Sequence, residues 1–318
     1  MTTSKQNFEG LLDPAGAVQR APRVLIYGGS GRGKTTLASK FPEPLIIDTE
    51  DGSGMLDIRY RKRVSNYDEL ANILESVRDT RPSCIKTVCI DTIDWLFEMV
   101  EKKVLQERNA KSVADLGYEK FNLLKEKMVT VLRILEQINN AGYAILLIAH
   151  ARDEMLRLPG QDPYRAWNIK ITGTEKPAQV SAEKVKEWVD EIYFLDTDVS
   201  VDKRGTATGG TVRILHTASN ATIVAKSRLG LPSPMVLTDD CLAPLFERIK
   251  GVQEEQESGW YSYGLCNELQ DWEGELYTYC LEKHIIRAGG SLRDISDEMR
   301  ARMNANPQGV IKQLEKYR

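Results

Sequence analysis

Four glycines, a lysine and a threonine fall at the spacing GxxxxGK[ST] in the segment GGSGRGKT, residues 28–35. Glycine lets a turn close so tightly that successive backbone N–H groups aim at one point. An anion is stabilised there, and a following helix N-terminus adds donors. Gly28, Gly29, Ser30, Gly31, Arg32 and Gly33 would form that cradle, with Thr36 beside it. Lys34 would reach the β and γ phosphates of a nucleotide such as ATP, and Thr35 would ligate Mg²⁺ through its hydroxyl.

Three more polar residues stand at the ends of apolar runs. TVCIDT carries Asp91, whose carboxylate would hold Mg²⁺ or its waters beside the phosphate loop, the Walker B position. Thr92 follows it, so no adjacent glutamate is on hand to activate water. IIDTEDG offers a substitute. Asp48 and Glu50 fall on one side of a strand, and Glu50, further toward the sheet edge, is the expected water-orienting group, with Asp48 and Asp51 as alternatives. LLIAHAR carries His150, either a γ-phosphate sensor or a strand-end histidine satisfied by its neighbours. Far downstream, AKSRLGLP places Lys226 and Arg228 two apart, so a strand would aim both cations to one side.

The elements that must position these residues are legible as alternating strands and helices. RVLIYG (23–28), PLIIDTE (44–50), KTVCID (86–91) and YAILLIAH (143–150) are near-continuous apolar runs suited to a parallel sheet covered on both faces. YDELANILESVRDT and EKFNLLKEKMVTVLRILEQINNAG repeat apolar residues every three or four positions, as amphipathic helices do. EIYFLDT (191–197) and TVRILHTA (211–218) flank a Gly/Thr-rich turn and read as a hairpin, with AKSRLGLP as one more strand. Trp95 reads as core, and RYRKR (59–63) as a solvated edge strand or a secondary DNA track. The predicted organisation is a flexible segment 1–20, an α/β core 21–250, an acidic linker 251–258 and a helical region 259–318.

This set of elements resembles the RecA-type ATPase core shared by RecA, RadA and DnaB. IDTEDG resembles the segment with the catalytic glutamate, CIDTIDWL the Walker B strand, LIAHAR the sensor strand, and AKSRLG a lysine–x–arginine motif. The nearest likeness is to short phage RecA-like ATPases associated with single-strand annealing and recombination, and it covers roughly residues 20–235. Ser227 stands where those relatives usually carry asparagine, and His150 where RecA carries glutamine. The resemblance implies a mostly parallel sheet with helices on both faces, a homo-oligomer in a ring or filament, and a trans role for Lys226 and Arg228 on the neighbour's nucleotide. It also implies single-stranded DNA binding by loops after the Walker B and sensor strands. The stretch after His150, read as a long irregular loop, carries Arg152, Arg157, Arg165, Lys170 and Lys176 for phosphates and Tyr164 and Trp167 for bases.

Composition sets outer bounds. A net charge of −3 gives no global basic field, so a polyanion would need a local patch. No signal-peptide pattern and no run of membrane-spanning length is visible, and five scattered cysteines read as reduced, buried thiols, which together predict a cytoplasmic protein, in a bacterial host if phage-encoded. A single-strand-binding protein or another recombination or replication protein is a possible partner. Two other readings fit the same residues: a DnaB-like helicase or helicase-loading ATPase, and a nucleotide-gated protein-interaction switch.

Overall fold

The computed structural model describes residues 20–157, 160, 162–171, 176–202, 204, 206–261, 265, 267–287 and 292–318. The expected flexible segment lies outside them, save residue 20. By chain contacts the protein divides into two units, Met1–Cys241 and Leu242–Arg318.

Among the described residues the first unit is built on one nine-stranded sheet. Its strands are β1 (Arg23–Gly28), β2 (Pro44–Asp48), β3 (Tyr60–Arg63), β4 (Thr87–Asp91), β5 (Ala144–Leu156), β6 (Tyr164–Lys170), β7 (Glu191–Val201), β8 (Ala207–His216) and β9 (Met235–Val236). The order is β3-β2-β4-β5-β1-β7-β8-β9, with β6 paired to β5. From β3 to β7 every neighbour is parallel, while β6, β8 and β9 pair antiparallel. The fold is therefore α/β with a mostly parallel sheet, as the apolar runs predict. RYRKR is the edge strand β3, running parallel to β2.

Both faces of the central strands are buried. Leu25, Tyr27, Ile47, Val88, Ile90, Ile145 and Leu147 join a core cluster with the apolar sides of α2 (Tyr67–Thr80), α3 (Ile93–Glu107), α4 (Lys120–Asn140) and α5 (Lys176–Trp188). The alternate residues Val24, Ile26, Ile46, Cys89, Leu146 and Ile148 are fully buried too. Each such side chain contributes about 1.5–3 kcal/mol of burial, so an unbroken apolar run is what a doubly covered strand requires. Trp95 departs from expectation. It falls off the stripe of Ile93, Leu96, Phe97, Val100 and Val104 and is exposed. Cys84 is likewise exposed, whereas Cys89 and Cys280 are buried free thiols; Cys266 lies outside the described residues.

Two stretches differ from their predicted form. The segment after His150 is largely regular. β5 runs on to Leu156 and returns as β6, pairing His150 with Lys170 and Leu156 with Tyr164. Cross-strand side-chain contacts stabilise this hairpin: Arg165 forms an ion pair with Asp153 at 2.6 Å, and the Asn168 amide donates to Glu154 at 2.7 Å. AKSRLGLP, in contrast, is no regular strand. Its ordered part is one antiparallel bridge, in which Ile192 and Lys226 exchange backbone hydrogen bonds. The Gly and two Pro residues that follow supply no strand propensity to extend it.

In the second unit, α6 (Ala243–Tyr261) runs through residues 251–258, so the expected linker is helix. Glu and Gln are strong helix formers, and charge alone does not break a helix. The helices α7 (Glu273–Glu282), α8 (Asp297–Ala305) and α9 (Pro307–Leu314) share a core of Leu265, Leu269, Leu276, Cys280, Ile286, Leu292, Ile295, Met303 and Leu314. No described helix is long and apolar enough to cross a membrane.

One buried acid ties the start of β1 to the start of β7. Asp190 accepts from the Arg23 guanidinium at 3.1 and 3.2 Å, from Arg20 at 2.5 Å and from Arg228 at 3.0 Å. Burial works against its charge, but the Arg23 hydrogen bonds and the charges of Arg23 and Arg20 prevail and hold its carboxyl below the usual range. Removing the charge leaves buried Arg23 with only the half-exposed Glu136, 3.9 Å away, as counter-ion, so Asp190→Asn is expected to destabilise the chain by about 3 kcal/mol in denaturant titration. A depressed folded pKa stabilises above the unfolded value near 3.9 and loses that contribution as pH falls through the folded value. The gap between variant and parent should therefore hold above about pH 5 and close below about pH 4.

Candidate active site

Parallel pairing brings β1, β2, β4 and β5 to a common C-terminal edge, where a cleft of about 330 Å³ opens. Ser30, Gly31, Gly33, Lys34, Thr35, Thr36, Asp48, Glu50, Asp91, His150 and Arg213 are among its lining residues.

The phosphate loop leaves β1 at Gly28 and enters the short helix α1 (Lys34–Ala38). Gly28 is required by packing: a Cβ there would lie 2.2 Å from the Leu195 carbonyl oxygen of β7. Gly33 is required by conformation, its φ of +93° lying in the left-handed region. The Lys34 ammonium folds onto the loop and donates to the carbonyls of Gly28 and Gly29 at 3.1 and 2.9 Å. Burial lowers its pKa, while the nearby Asp91, Asp94 and Glu50 charges oppose that shift. Arg32 turns away from the cleft. Its guanidinium bonds Thr197 at 2.8 Å and pairs with Asp196 at 3.3 Å, so its side chain secures the loop to β7 rather than lining the phosphate cavity.

The Thr35 hydroxyl donates to the Asp91 carboxylate at 2.6 Å, joining the loop to the end of β4. Burial raises the Asp91 carboxyl to about 6, with the Thr35 bond opposing and the Asp48 and Glu50 charges adding to the rise. Among the described residues no group of three or more His, Cys, Asp or Glu is placed to hold a metal alone. A hydroxyl and a carboxylate side by side suit Mg²⁺, which takes one or two protein oxygens and completes its shell with water and phosphate.

Asp48 is a structural acid. It accepts from the backbone N–H groups of Glu50, Asp51, Gly52 and Ser53 and from the Ser53 hydroxyl. Burial opposes its charge, yet these donors prevail and keep its carboxyl below the usual range. Asp51 is paired with Arg63 at 3.1 Å. Asp48 and Glu50 both line the cleft, but Asp48 is taken up by the turn it closes, whereas the Glu50 carboxylate lies 3.8 Å from His150 Nε2. His150 in turn is anchored by Asp94, whose carboxylate meets His150 Nδ1 at 2.7 Å and accepts from its backbone N–H at 3.2 Å. Burial of Asp94 pushes its pKa up, but the His150 contacts prevail and bring it below the usual range.

Asp94 and Arg213 were not visible as site residues in the sequence. Asp94 lies in the first turn of α3, three residues past Asp91. Arg213 reaches the site from β8, and nothing in its own strand marks it.

Lys226 and Arg228 do not enter this cleft. Lys226 donates to the Lys186 carbonyl at 2.8 Å and Arg228 bonds Asp190, both at the edge where β1 begins. That edge is roughly 16 Å along the strand from the phosphate loop. Of the expected DNA contacts, Arg152 and Arg165 are ion-paired with Glu154 and Asp153, Trp167 stacks on Phe194 and is half exposed, and Arg157 and Lys170 are exposed. Tyr164 opens β6 and Lys176 opens α5.

A family model described as an AAA domain matches residues 20–229. No curated protein matches the chain. Among solved structures, the crystal structure of the RadB recombinase is similar with a TM-score of 0.36 and 15% identity, over 69% of this chain and 89% of that one.

The close approach at Gly28 yields a direct test. Gly28→Ala must push β7 from β1, and a loss of about 3 kcal/mol is expected from overpacking alone, measured by denaturant midpoint.

Proposed function

The chain belongs to the AAA domain family, and on that premise we propose a RecA-like enzyme that binds and hydrolyses ATP with Mg²⁺. We extend the reading to a homo-oligomer that binds single-stranded DNA and promotes annealing or strand exchange in recombination of the phage type. One observation carries the hydrolytic part: Lys34, Thr35, Asp91, Glu50 and His150 line a single cleft.

Backbone groups of residues 30–36 and the Lys34 ammonium bind the phosphates. Thr35 and Asp91 would hold Mg²⁺, which when bound would withdraw charge from phosphate oxygens. Glu50 orients the attacking water and takes its proton. Asp94 fixes His150 through Nδ1, so that Nε2 faces Glu50 and the phosphate side of the cleft. Glu50→Gln is expected to lower kcat by about 100-fold or more while leaving the ATP dissociation constant nearly unchanged, read from phosphate release and equilibrium binding.

The DNA part is supported by exposed Arg157 and Lys170 with half-exposed Trp167 on and beside the β5–β6 hairpin. The oligomeric part is supported by the position of Lys226 and Arg228, too far from their own phosphate loop to serve it. The ion pairs of Arg152 and Arg165 favour a second reading, a nucleotide-gated switch for a protein partner. Turnover per subunit should rise with protein concentration and with single-stranded oligonucleotide. Turnover indifferent to both would remove the DNA and oligomer readings and leave the switch.

A further inference from the structure

The cleft carries an excess of negative charge on its own. Asp48, Glu50 and Asp91 line it against two cations, Lys34 and Arg213. Arg213 belongs to neither the loop nor the parallel strands. It stands on β8 opposite Thr197 of β7, and its carbonyl accepts from Leu237, so its backbone is held from both sides. Its side chain lies across the phosphate loop: a Cβ on Gly33 would sit 2.7 Å from the guanidinium carbon and 2.9 Å from one of its nitrogens. The missing side chain of Gly33 is thus what lets the guanidinium lie at the mouth of the cleft.

The two carboxylates on β7 nearest in register are committed elsewhere. Asp196 is paired with Arg32. Asp198 accepts from the backbone N–H groups of Gly210 and Val212 at 3.0 and 2.9 Å. Among the described residues no carboxylate forms an ion pair with Arg213, which lines the same cleft as Lys34. A guanidinium matches phosphate oxygens with paired hydrogen bonds, which a lone ammonium such as Lys34 does not offer.

We infer that Arg213 is a phosphate-binding residue acting in cis, its guanidinium meeting the terminal phosphates of a nucleotide seated on the same chain's loop. The inference rests on the nucleotide reading of the cleft and adds to it a cation supplied by the antiparallel side of the sheet. β7 and β8 thereby become part of the site, with Arg32 fastening the loop to them.

The test compares binding of ATP, ADP and AMP, each with Mg²⁺, to the full chain by calorimetry. Arg213→Ala should weaken ATP and ADP by about 10- to 100-fold and leave AMP, which lacks the terminal phosphates, unchanged. Arg213→Lys should recover part of the loss. The side chain is exposed, so the unfolding midpoint of Arg213→Ala without nucleotide should match the parent. ATP and ADP affinities within about twofold of the parent would overturn the inference. A parent chain that binds no nucleotide would instead overturn the reading of the cleft itself. Adding excess Lys34→Ala chains, which retain Arg213, should not restore ATP affinity to Arg213→Ala chains. Restoration would place Arg213 in a neighbour's site and defeat the cis assignment.

Discussion

Parallel pairing obliges β2, β4, β5 and β1 to end at one edge of the sheet, and the candidate site depends on that constraint. Asp48 is level with Asp91, and His150 is level with Gly28, by strand register alone. Four chain segments separated by up to about a hundred residues then need only short reaches to meet. The Thr35–Asp91 hydrogen bond spans the intervening β5, and the Asp94–His150 contact links α3 to the middle of that strand.

The acids at this edge are sorted by what neighbours each one has. Asp48 is consumed by the loop it folds, Asp94 by His150, and Asp91 is buried beside the Thr35 hydroxyl with its carboxyl raised. Glu50 stays at the cleft because Asp48 has already closed the turn beneath it. The same chemical group thus serves as turn bracket in Asp48 and histidine anchor in Asp94, and in the proposed mechanism as metal ligand and water-orienting base. The assignment comes from hydrogen-bond accounting, since all four are carboxylates on or beside strand ends.

At the opposite edge, Asp190 and its arginines fasten the first and last parallel strands. Glu191, almost fully buried, accepts from the Arg228 backbone N–H and the Tyr193 hydroxyl, so the AKSRLGLP segment is held against β7. The pair of cations that looked free in sequence is engaged at the resting edge of its own chain. The Arg228 side chain is largely exposed, whereas Lys226 is turned onto a backbone carbonyl.

The sequence by itself determined the phosphate loop, the starts of the four central strands, and Asp91 as a strand-end group, whereas His150, expected at a strand end, lies within β5, which runs on to Leu156. These are local signals: glycine spacing, unbroken apolar runs, and a polar residue where a run stops. The hairpin after His150 was less legible because cross-strand charge pairs such as Arg165–Asp153 resemble loop polarity until the strands are paired. The α6 helix through residues 251–258 is hard to see in sequence because a run of charge looks like a linker where helix propensity prevails. Only the tertiary structure decided that Arg32 faces β7, that Arg213 enters the cleft, that Asp94 holds His150, and that Lys226 and Arg228 lie at the far edge. Each of these rests on which strand pairs with which, a long-range arrangement that no window of neighbouring residues contains.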